Sequence, residues 1–163
     1  MNRNHFSCRF APLCGNPFGL MNPTDINKLC DVIRETSFAI RKYHRHGYPE
    51  KIYENALAHR LTLLGLKVEQ QKPINVYDED GFPLGLYYAD LVIEGRLVVE
   101  LKAVREVLNE HMAQVLGYLR SARLETGLLI NFGAPKLYVK KYLMSEPPST
   151  VSAMVPNLWG FLF

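Results

Sequence analysis

Residues 84–102 read LGLYYADLVIEGRLVVELK, in which two apolar runs surround a short polar segment. Runs rich in aliphatic and aromatic residues on either side of a turn predict an antiparallel hairpin, here with strands 84–93 and 97–101. The polar segment 94–96 has three residues, and we expect Gly95 or its neighbour to adopt a positive φ there. The length of this loop determines which side chains share a face of the hairpin.

The three-residue loop puts Ile93 opposite Leu97. Continuing the same pairing puts Asp90 opposite Glu100, with Cα atoms roughly 4.5–5.5 Å apart and both side chains on one face. Lys102 lies two residues beyond Glu100 and shares that face. A two-residue loop would instead place the two carboxylates on opposite faces. The other face carries only apolar residues, namely Ala89, Leu91, Ile93, Leu97, Val99 and Leu101.

Two facing carboxylates destabilise a sheet unless something binds between them. Mg²⁺ prefers carboxylate oxygens and keeps several water ligands, which leaves room for a phosphate and a nucleophile. An ammonium group beside the ion, here Lys102, can orient or deprotonate water and neutralise phosphoryl oxygens. The pattern of Asp90 followed by Glu100 and Lys102 therefore favours a site that hydrolyses phosphodiesters. The alternative is a surface hairpin whose carboxylates pair with Lys102 and Arg96.

Composition and charge restrict the class of protein without identifying it. The 163 residues suit one domain, and with 48% hydrophobic and 21% charged residues the chain can bury a core. The net charge of +3 permits a polyanionic partner without requiring one. No apolar run approaches the roughly 18 residues of a membrane helix, and no secretory signal is recognisable, so we expect a cytoplasmic protein.

The cysteines predict neither a disulfide framework nor a strong metal site. Their number is odd and their spacing fits no disulfide pattern. His5, Cys8 and Cys14 are candidate zinc ligands, but three residues without a C-x-x-C pair favour ordinary free thiols.

The two ends of the chain differ in character from its centre. Residues 1–22 show no helical or strand period and contain several prolines and glycines, so we expect a disordered extension. A single domain is expected over residues 23–143. Residues 144–163 combine a proline-containing segment that disfavours regular structure with a hydrophobic end. We expect a flexible tail that is either free in solvent or bound in a hydrophobic groove.

Periodic patterns elsewhere predict three helices and three further strands. Thr24 is the expected cap of the first helix, which ends before Gly47. Pro49 suits the first position of the second helix and Gly65 its end. The predicted order is α-α-β-β-β-α-β-β, an α/β or α+β fold with a central mixed sheet flanked by helices. The third helix is expected at 110–123, and the further strands at 67–77, 127–132 and 137–142.

Five short motifs, taken together, resemble a known family. In chain order they are Gly47–Tyr53 (G-x-x-E-x-x-Y), Tyr88–Val92, Val98–Ala103, Gln114–Leu119 and Gly127–Gly133. The set resembles the GxxExxY family, a branch of the PD-(D/E)xK nuclease-like superfamily, over roughly residues 26–143. Ala89 stands where the superfamily's name has proline.

The resemblance implies a restriction-endonuclease-like core and a metal-dependent site. It implies that Asp90 and Glu100 bind Mg²⁺ or Mn²⁺, with the Leu101 carbonyl as a further ligand. It also implies that Lys102 serves the attacking water and that cleavage leaves a 5′-phosphate. Glu50, the acidic residue of the first motif, would support the metal. From the residues alone, Glu50 is equally a carboxylate that stabilises a helix N-terminus.

Contacts to nucleic acid are expected on the third helix and in two basic clusters. Gln114 and Tyr118 match a Q-x-x-x-Y element that lies beside the site in related exonuclease-like proteins, although Tyr118 could equally be half-buried packing. The basic clusters, at positions 41–60 and 136–141, would follow the phosphate backbone. The expected phosphate contacts are Arg45 and Lys140.

The resulting hypothesis is a Mg²⁺-dependent nuclease that acts on DNA in preference to RNA. Two alternatives remain open. One is a catalytically silent module on the same fold that binds nucleic acid or protein. The other is a structural protein that assembles through its C-terminal tail, as a homodimer or with another protein. No membrane association is expected.

Overall fold

Three helices and one five-stranded sheet make up the computed structural model, which describes residues 25–144. This confirms the predicted fold class and element order. The predicted N-terminal extension, the candidate zinc ligands and the tail beyond Met144 lie outside the described residues. The elements are α1 (Ile26–His44), α2 (Glu50–Leu63), β1 (Val68–Tyr77), β2 (Pro83–Ile93), β3 (Leu97–Lys102), α3 (Asn109–Ala122), β4 (Thr126–Asn131) and β5 (Tyr138–Leu143).

The sheet is mixed because one of its connections is a helical crossover. The strand order is β1-β2-β3-β4-β5, so β1 and β5 form the edges. β3 and β4 are parallel and are joined through α3, whereas the other neighbouring pairs are antiparallel. Pro73, which cannot donate to a ladder, accordingly lies in the edge strand β1.

Each face of the sheet is covered by helices and carries its own hydrophobic cluster. Helices α1 and α2 cover one face, and α3 covers the other. The α1/α2 face includes Leu91, Ile93, Leu97, Val99 and Leu101 of β2 and β3. The cluster on the α3 face includes Ala89, Val92 and Val98 of the sheet together with Val115 and Leu119 of α3.

The helix termini differ in detail from the sequence prediction. Asp25, not Thr24, caps α1, and its Oδ1 accepts hydrogen bonds from the backbone N–H groups of Asn27 (3.0 Å) and Lys28 (3.3 Å). Both residues are competent N-caps, so sequence alone could not choose between them; Thr24 itself lies outside the described residues. Pro49 occupies the N-cap of α2 rather than its first helical position. None of the helices within residues 25–144 is long and apolar enough to cross a bilayer.

The hairpin between β2 and β3 has the predicted register. Ile93 pairs with Leu97, and both Glu94 (φ 54°) and Gly95 (φ 65°) adopt a positive φ in the loop. The regular pairing ends at Leu91 and Val99, one pair before the two carboxylates.

One part of the predicted face assignment is wrong, because the alternation of β2 breaks at Asp90. Ala89 packs with Val92 on the α3 face, not with Leu91 on the α1/α2 face. Beside Asp90, the β1 residue Gln71 has a φ of 48°, which interrupts the regular extended backbone. Side chains two residues apart share a face only in a regular strand. Across this irregularity, Ala89 and Leu91 therefore lie on opposite faces of the sheet.

Gly133 allows the end of β4 to approach the connection that follows β3. A Cβ at this position would lie 2.5 Å from the Val104 nitrogen.

We expect Gly133→Ala to lower the free energy of unfolding by about 3 kcal/mol, since the backbone must move to make room for the added methyl group. Gly117→Ala is the control, because nothing lies within 4 Å of a Cβ added there. It should raise the free energy of unfolding by about 1 kcal/mol through helix propensity. Urea unfolding followed by circular dichroism measures both, and equal effects would contradict the close approach.

Candidate active site

Asp90, Glu100 and Lys102 meet at the carboxyl end of β3. The Lys102 Nζ donates to Glu100 Oε1 over 2.6 Å, and the Asp90 Oδ2 accepts from the Leu101 N–H over 2.8 Å. Glu100 is 1% exposed and Asp90 is 9% exposed. The regular backbone pairing between β2 and β3 ends before Asp90. The Asp90 side chain instead accepts a hydrogen bond from the backbone of β3. The hairpin therefore presents two buried carboxylates and one ammonium group together.

Glu50 joins this cluster from the first turn of α2. Its Oε1 lies 4.0 Å from the Lys102 Nζ, and its side chain is partly exposed. Glu50 is also the first residue of the helix, where a negative charge is favourable. The two interpretations left open by the sequence are thus compatible, because a helix N-terminus directs this carboxylate at the cluster.

Burial raises the proton affinity of all three carboxylates, and neighbouring carboxylates add to this effect. Burial and the nearby Asp90 raise the pKa of Glu100 to about 8. Burial is also the main cause that raises the pKa values of Asp90 and Glu50. Burial opposes the charge of Lys102, but its hydrogen bond to Glu100 and the surrounding carboxylates raise its pKa overall. One ammonium group thus faces an excess of negative charge.

The donor set of the cluster fits a hard divalent cation. The Glu100 Oε2 is buried and has no hydrogen-bond partner within residues 25–144, which is costly for a carboxylate oxygen. Residues 25–144 contain no group of three His, Cys, Asp or Glu side chains arranged to hold one ion. Mg²⁺ does not require such a group, since it is commonly bound by one or two carboxylates and several waters. Asp90 and Glu100, with the Leu101 carbonyl and waters, would satisfy that preference.

Gln71 and Glu54 also lie beside the cluster, although no sequence motif contains them both. The Gln71 amide donates to both Glu54 Oε2 (3.0 Å) and Asp90 Oδ1 (3.2 Å), and so links α2 to β2. Glu54 is 2% exposed and also accepts from Lys51 (2.6 Å) and Gln70 (3.0 Å). Glu54 is therefore a buried carboxylate held by an ion pair and by two amide groups. No sequence pattern points to Gln71, because its role depends on a left-handed backbone conformation that is unusual for glutamine.

The Gln71 bridge should contribute measurably to stability. Gln71→Gly removes the amide while tolerating a φ of 48°, and we expect it to lower the free energy of unfolding by about 2 kcal/mol. The contact with Asp90 can be isolated by repeating the substitution in an Asp90→Ala background, where the loss should shrink by about 1 kcal/mol. Equal losses in the two backgrounds, measured by urea unfolding, would contradict a direct interaction with Asp90.

The first motif of the sequence fixes the approach to α2. Gly47 has a φ of 116° in the connection from α1. The Tyr53 hydroxyl donates to the Arg45 carbonyl over 2.9 Å, and the Tyr53 ring stacks on Phe132 with centroids 4.5 Å apart. Tyr53 is fully buried and belongs to the hydrophobic core on the α1/α2 face. Gly47 and Tyr53 thus stabilise the turn between α1 and α2, and this turn positions Glu50 beside the cluster.

Gln114 and Tyr118 lie on α3 beside the cluster. The Gln114 Nε2 donates to the Tyr118 hydroxyl over 2.6 Å. Burial, together with the charges of Glu100 and Asp90, raises the pKa of Tyr118 to about 12. Tyr118 is 3% exposed, so the packing role left open by the sequence is present as well.

Arg45 and Lys140 lie outside the carboxylate cluster. Arg45 is exposed and ends α1 with a φ of 62°. Lys140 is exposed on β5 and pairs with Leu129, which in turn pairs with Glu100. Lys140 therefore lies on the α3 face, two strands and roughly 10 Å from Glu100.

Several other basic residues of the two clusters make contacts within the protein, whereas the phosphate path remains a prediction. The Arg41 guanidinium donates to the Ala134 (2.8 Å) and Pro135 (3.0 Å) carbonyls. Lys51 binds the buried Glu54, and Lys141 donates to Asn27 over 2.7 Å. Sequence could not distinguish these residues from solvent-facing ones, because their partners are distant in the chain.

The chain is similar to a known protein family and, distantly, to a solved structure. A protein-family model for the PD-(D/E)XK nuclease superfamily matches residues 27–142. The crystal structure of SSO0001 superposes with a TM-score of 0.47 and 21% sequence identity, over 57% of this chain and 48% of that chain. This similarity is too distant to carry an argument about function. No curated protein shows significant sequence similarity to the chain.

Proposed function

Because the chain belongs to the PD-(D/E)XK nuclease superfamily, we propose that it is a metal-dependent nuclease that hydrolyses phosphodiester bonds in DNA in preference to RNA. The observation that carries this proposal is the buried Oε2 of Glu100, which has no hydrogen-bond partner within residues 25–144. The other oxygen of this carboxylate accepts from the Lys102 ammonium group, and the nearby Asp90 opposes its charge. A divalent cation would satisfy that oxygen and offset the crowded negative charge.

The residues of the cluster have distinct roles in this proposal. Asp90 and Glu100, with the Leu101 carbonyl and support from Glu50, would hold Mg²⁺ or Mn²⁺. The bound ion would neutralise the charge of the phosphate and make water a better nucleophile. Lys102 would orient the attacking water and stabilise phosphoryl oxygens, since Glu100 holds its Nζ at 2.6 Å within the site.

Other residues would contact the nucleic acid around this centre. Gln114 and Tyr118 border the cluster on α3, and their mutual hydrogen bond fixes both side chains. Lys140 lies on the same face of the sheet as Glu100 and, unlike Lys51, forms no ion pair within residues 25–144; its Nζ lies 5.2 Å from the centroid of the Tyr142 ring. Arg45 is exposed next to the turn that precedes Glu50. Both cations could therefore meet phosphates that flank the cleaved bond.

Cleavage of labelled single-stranded DNA, double-stranded DNA and RNA tests the proposal. We expect products with Mg²⁺ or Mn²⁺, none with EDTA, and none from Asp90→Ala under any condition. Asp31→Ala is the matched control, because Asp31 is an exposed carboxylate on α1 whose only ion pair within residues 25–144 is with Arg34. It should cut like the wild type.

The absence of cleavage would separate the remaining interpretations. If the wild type binds nucleic acid without any metal-dependent product, the catalytically silent binding module is the better account. If the wild type also fails to bind divalent metal in calorimetry, the catalytic hypothesis is wrong.

A further inference from the structure

A cavity of about 480 Å³ lies between the β2 strand and α3, next to the carboxylate cluster. We propose that this cavity binds one unpaired nucleobase, so that the substrate class is single-stranded nucleic acid. The inference rests on the proposed function and adds the strandedness of the substrate to it. The residues that line the cavity are Tyr87, Glu110, His111, Ala113, Gln114, Gly117 and Tyr118.

An exposed aromatic ring forms one wall of the cavity. Tyr87 is 51% exposed, whereas Tyr118 beneath it is 3% exposed. The two rings meet edge to face with centroids 5.6 Å apart and an interplanar angle of 65°. Tyr118 thereby holds the Tyr87 ring in place and leaves much of its surface open. A fixed, accessible tyrosine ring is the type of platform on which single-stranded bases stack.

Gly117 lines the opposite side of the cavity and, having no side chain, leaves that space open. It lies in the interior of α3, where glycine is unfavourable compared with almost every other residue. Packing does not explain its presence, because nothing lies within 4 Å of a Cβ added at this position. Gly127 differs, since a Cβ there would lie 2.8 Å from Val115. A larger side chain at position 117 would project into the cavity, so glycine preserves the space for a ligand.

The polar groups of the cavity suit a base better than a phosphate. Its lining contains no lysine or arginine, and the Glu110 carboxylate would repel a phosphate. Gln114 uses its Nε2 to donate to Tyr118, which leaves its carbonyl oxygen as an acceptor. His111 accepts a bond from the Leu108 N–H at Nδ1 (3.0 Å), which leaves its Nε2 as the donor nitrogen, 3.7 Å from Glu110 Oε1. A donor and an acceptor beside an aromatic ring match the edge and the face of a nucleobase.

The cavity and the reaction centre adjoin through Tyr118. Tyr118 lines the cavity and also lies near Glu100, which contributes to raising the pKa of the Tyr118 hydroxyl. A strand with a base in the cavity would therefore run close to Asp90 and Glu100. In a duplex the bases are paired and stacked, and extracting one carries an energetic penalty. An unpaired strand avoids that penalty, so the geometry favours it.

Fluorescence of 2-aminopurine tests this inference independently of cleavage. The full chain carrying Asp90→Asn is mixed, with Mg²⁺ present, with short DNA or RNA strands containing one 2-aminopurine, and with the corresponding duplexes. We expect quenching with a single strand and tighter binding of it than of the duplex, by about tenfold or more. Gly117→Leu, which fills the cavity, and Tyr87→Ala, which removes the platform, should each weaken single-strand binding about tenfold.

Tyr43→Ala is the matched control, because Tyr43 is 71% exposed on α1 and lies outside the cavity lining. It should bind like the parent protein. Quenching that is lost in the two cavity variants but kept in this control supports the inference, even if the wild type does not cut. Unchanged fluorescence, equal binding of duplex and single strand, or full binding by both cavity variants overturns it. Cleavage by the wild type in that case would leave the proposed function standing.

Discussion

Glu100→Gln is expected to abolish cleavage and, in the absence of divalent metal, to stabilise the protein. The amide is isosteric with the carboxylate but lacks the charge and a full set of acceptor oxygens, so it is a poor ligand for a hard cation. We expect cleavage to fall by about 10³-fold. A stabilising substitution that removes activity would identify the carboxylate as a group kept for function.

The gain in stability should depend on pH in a defined direction. The pKa of Glu100 rises from 4.5 to about 8 in the folded protein, mainly through burial. Between these values the folded state holds a proton that the unfolded state releases, so wild-type stability falls as the pH rises through this window. Glutamine does not titrate and escapes that loss. The variant should therefore gain little at pH 5 and about 2–4 kcal/mol at pH 8.5.

Thermal unfolding in EDTA at pH 5 and pH 8.5 measures this effect. Glu35→Gln is the matched control, because Glu35 is an exposed glutamate on α1. The control should change little at either pH. A gain for Glu100→Gln that is the same at both pH values would contradict the idea that burial of its charge is the cause.

Lys102→Met should also eliminate cleavage but should destabilise the protein. Its Nζ bonds the buried Glu100 and lies near Glu50, and methionine preserves much of the apolar stem without the charge. We expect cleavage to fall by about 10²–10⁴-fold, the usual contribution of a group that assists proton transfer. In EDTA at pH 9 the free energy of unfolding should fall by about 3 kcal/mol, because a buried carboxylate loses its partner.

At pH 6 the same substitution should be milder, because the pKa of Glu100, about 8, allows the carboxyl group to hold a proton and become neutral. Urea unfolding at both pH values and parallel cleavage assays measure the two effects. Lys102→Arg keeps the charge without the compact geometry of an ammonium group, so it should preserve stability better than activity. Wild-type cleavage by Lys102→Met would exclude the proposed role of Lys102.

The register of the hairpin could be predicted from sequence because it depends on local rules. A three-residue loop between two apolar runs determines which residues pair, and the pairing of Ile93 with Leu97 follows directly. The shared face of Glu100 and Lys102 needed only the two-residue period of a strand. The α1/α2 face was predicted correctly from Leu91 onward for the same reason.

The surroundings of Asp90 could not be predicted because they depend on backbone irregularity and on contacts distant in the chain. Gln71 has a positive φ beside the point where Ala89 turns to the α3 face, and its amide donates to Asp90. Nothing in the sequence marks a glutamine for a left-handed conformation. Likewise, Arg41 is basic like its neighbours, yet it bonds carbonyl groups more than ninety residues away.

The central claim is that a divalent cation binds between Asp90 and Glu100. Anomalous diffraction from crystals of the full chain soaked in Mn²⁺ tests it most directly, with Glu100→Gln crystals as the control. We predict one anomalous peak in contact with the Glu100 Oε2 and the Asp90 carboxylate in the wild type, absent from the variant. A well-ordered site without such a peak, or a peak that persists in Glu100→Gln, would contradict the account.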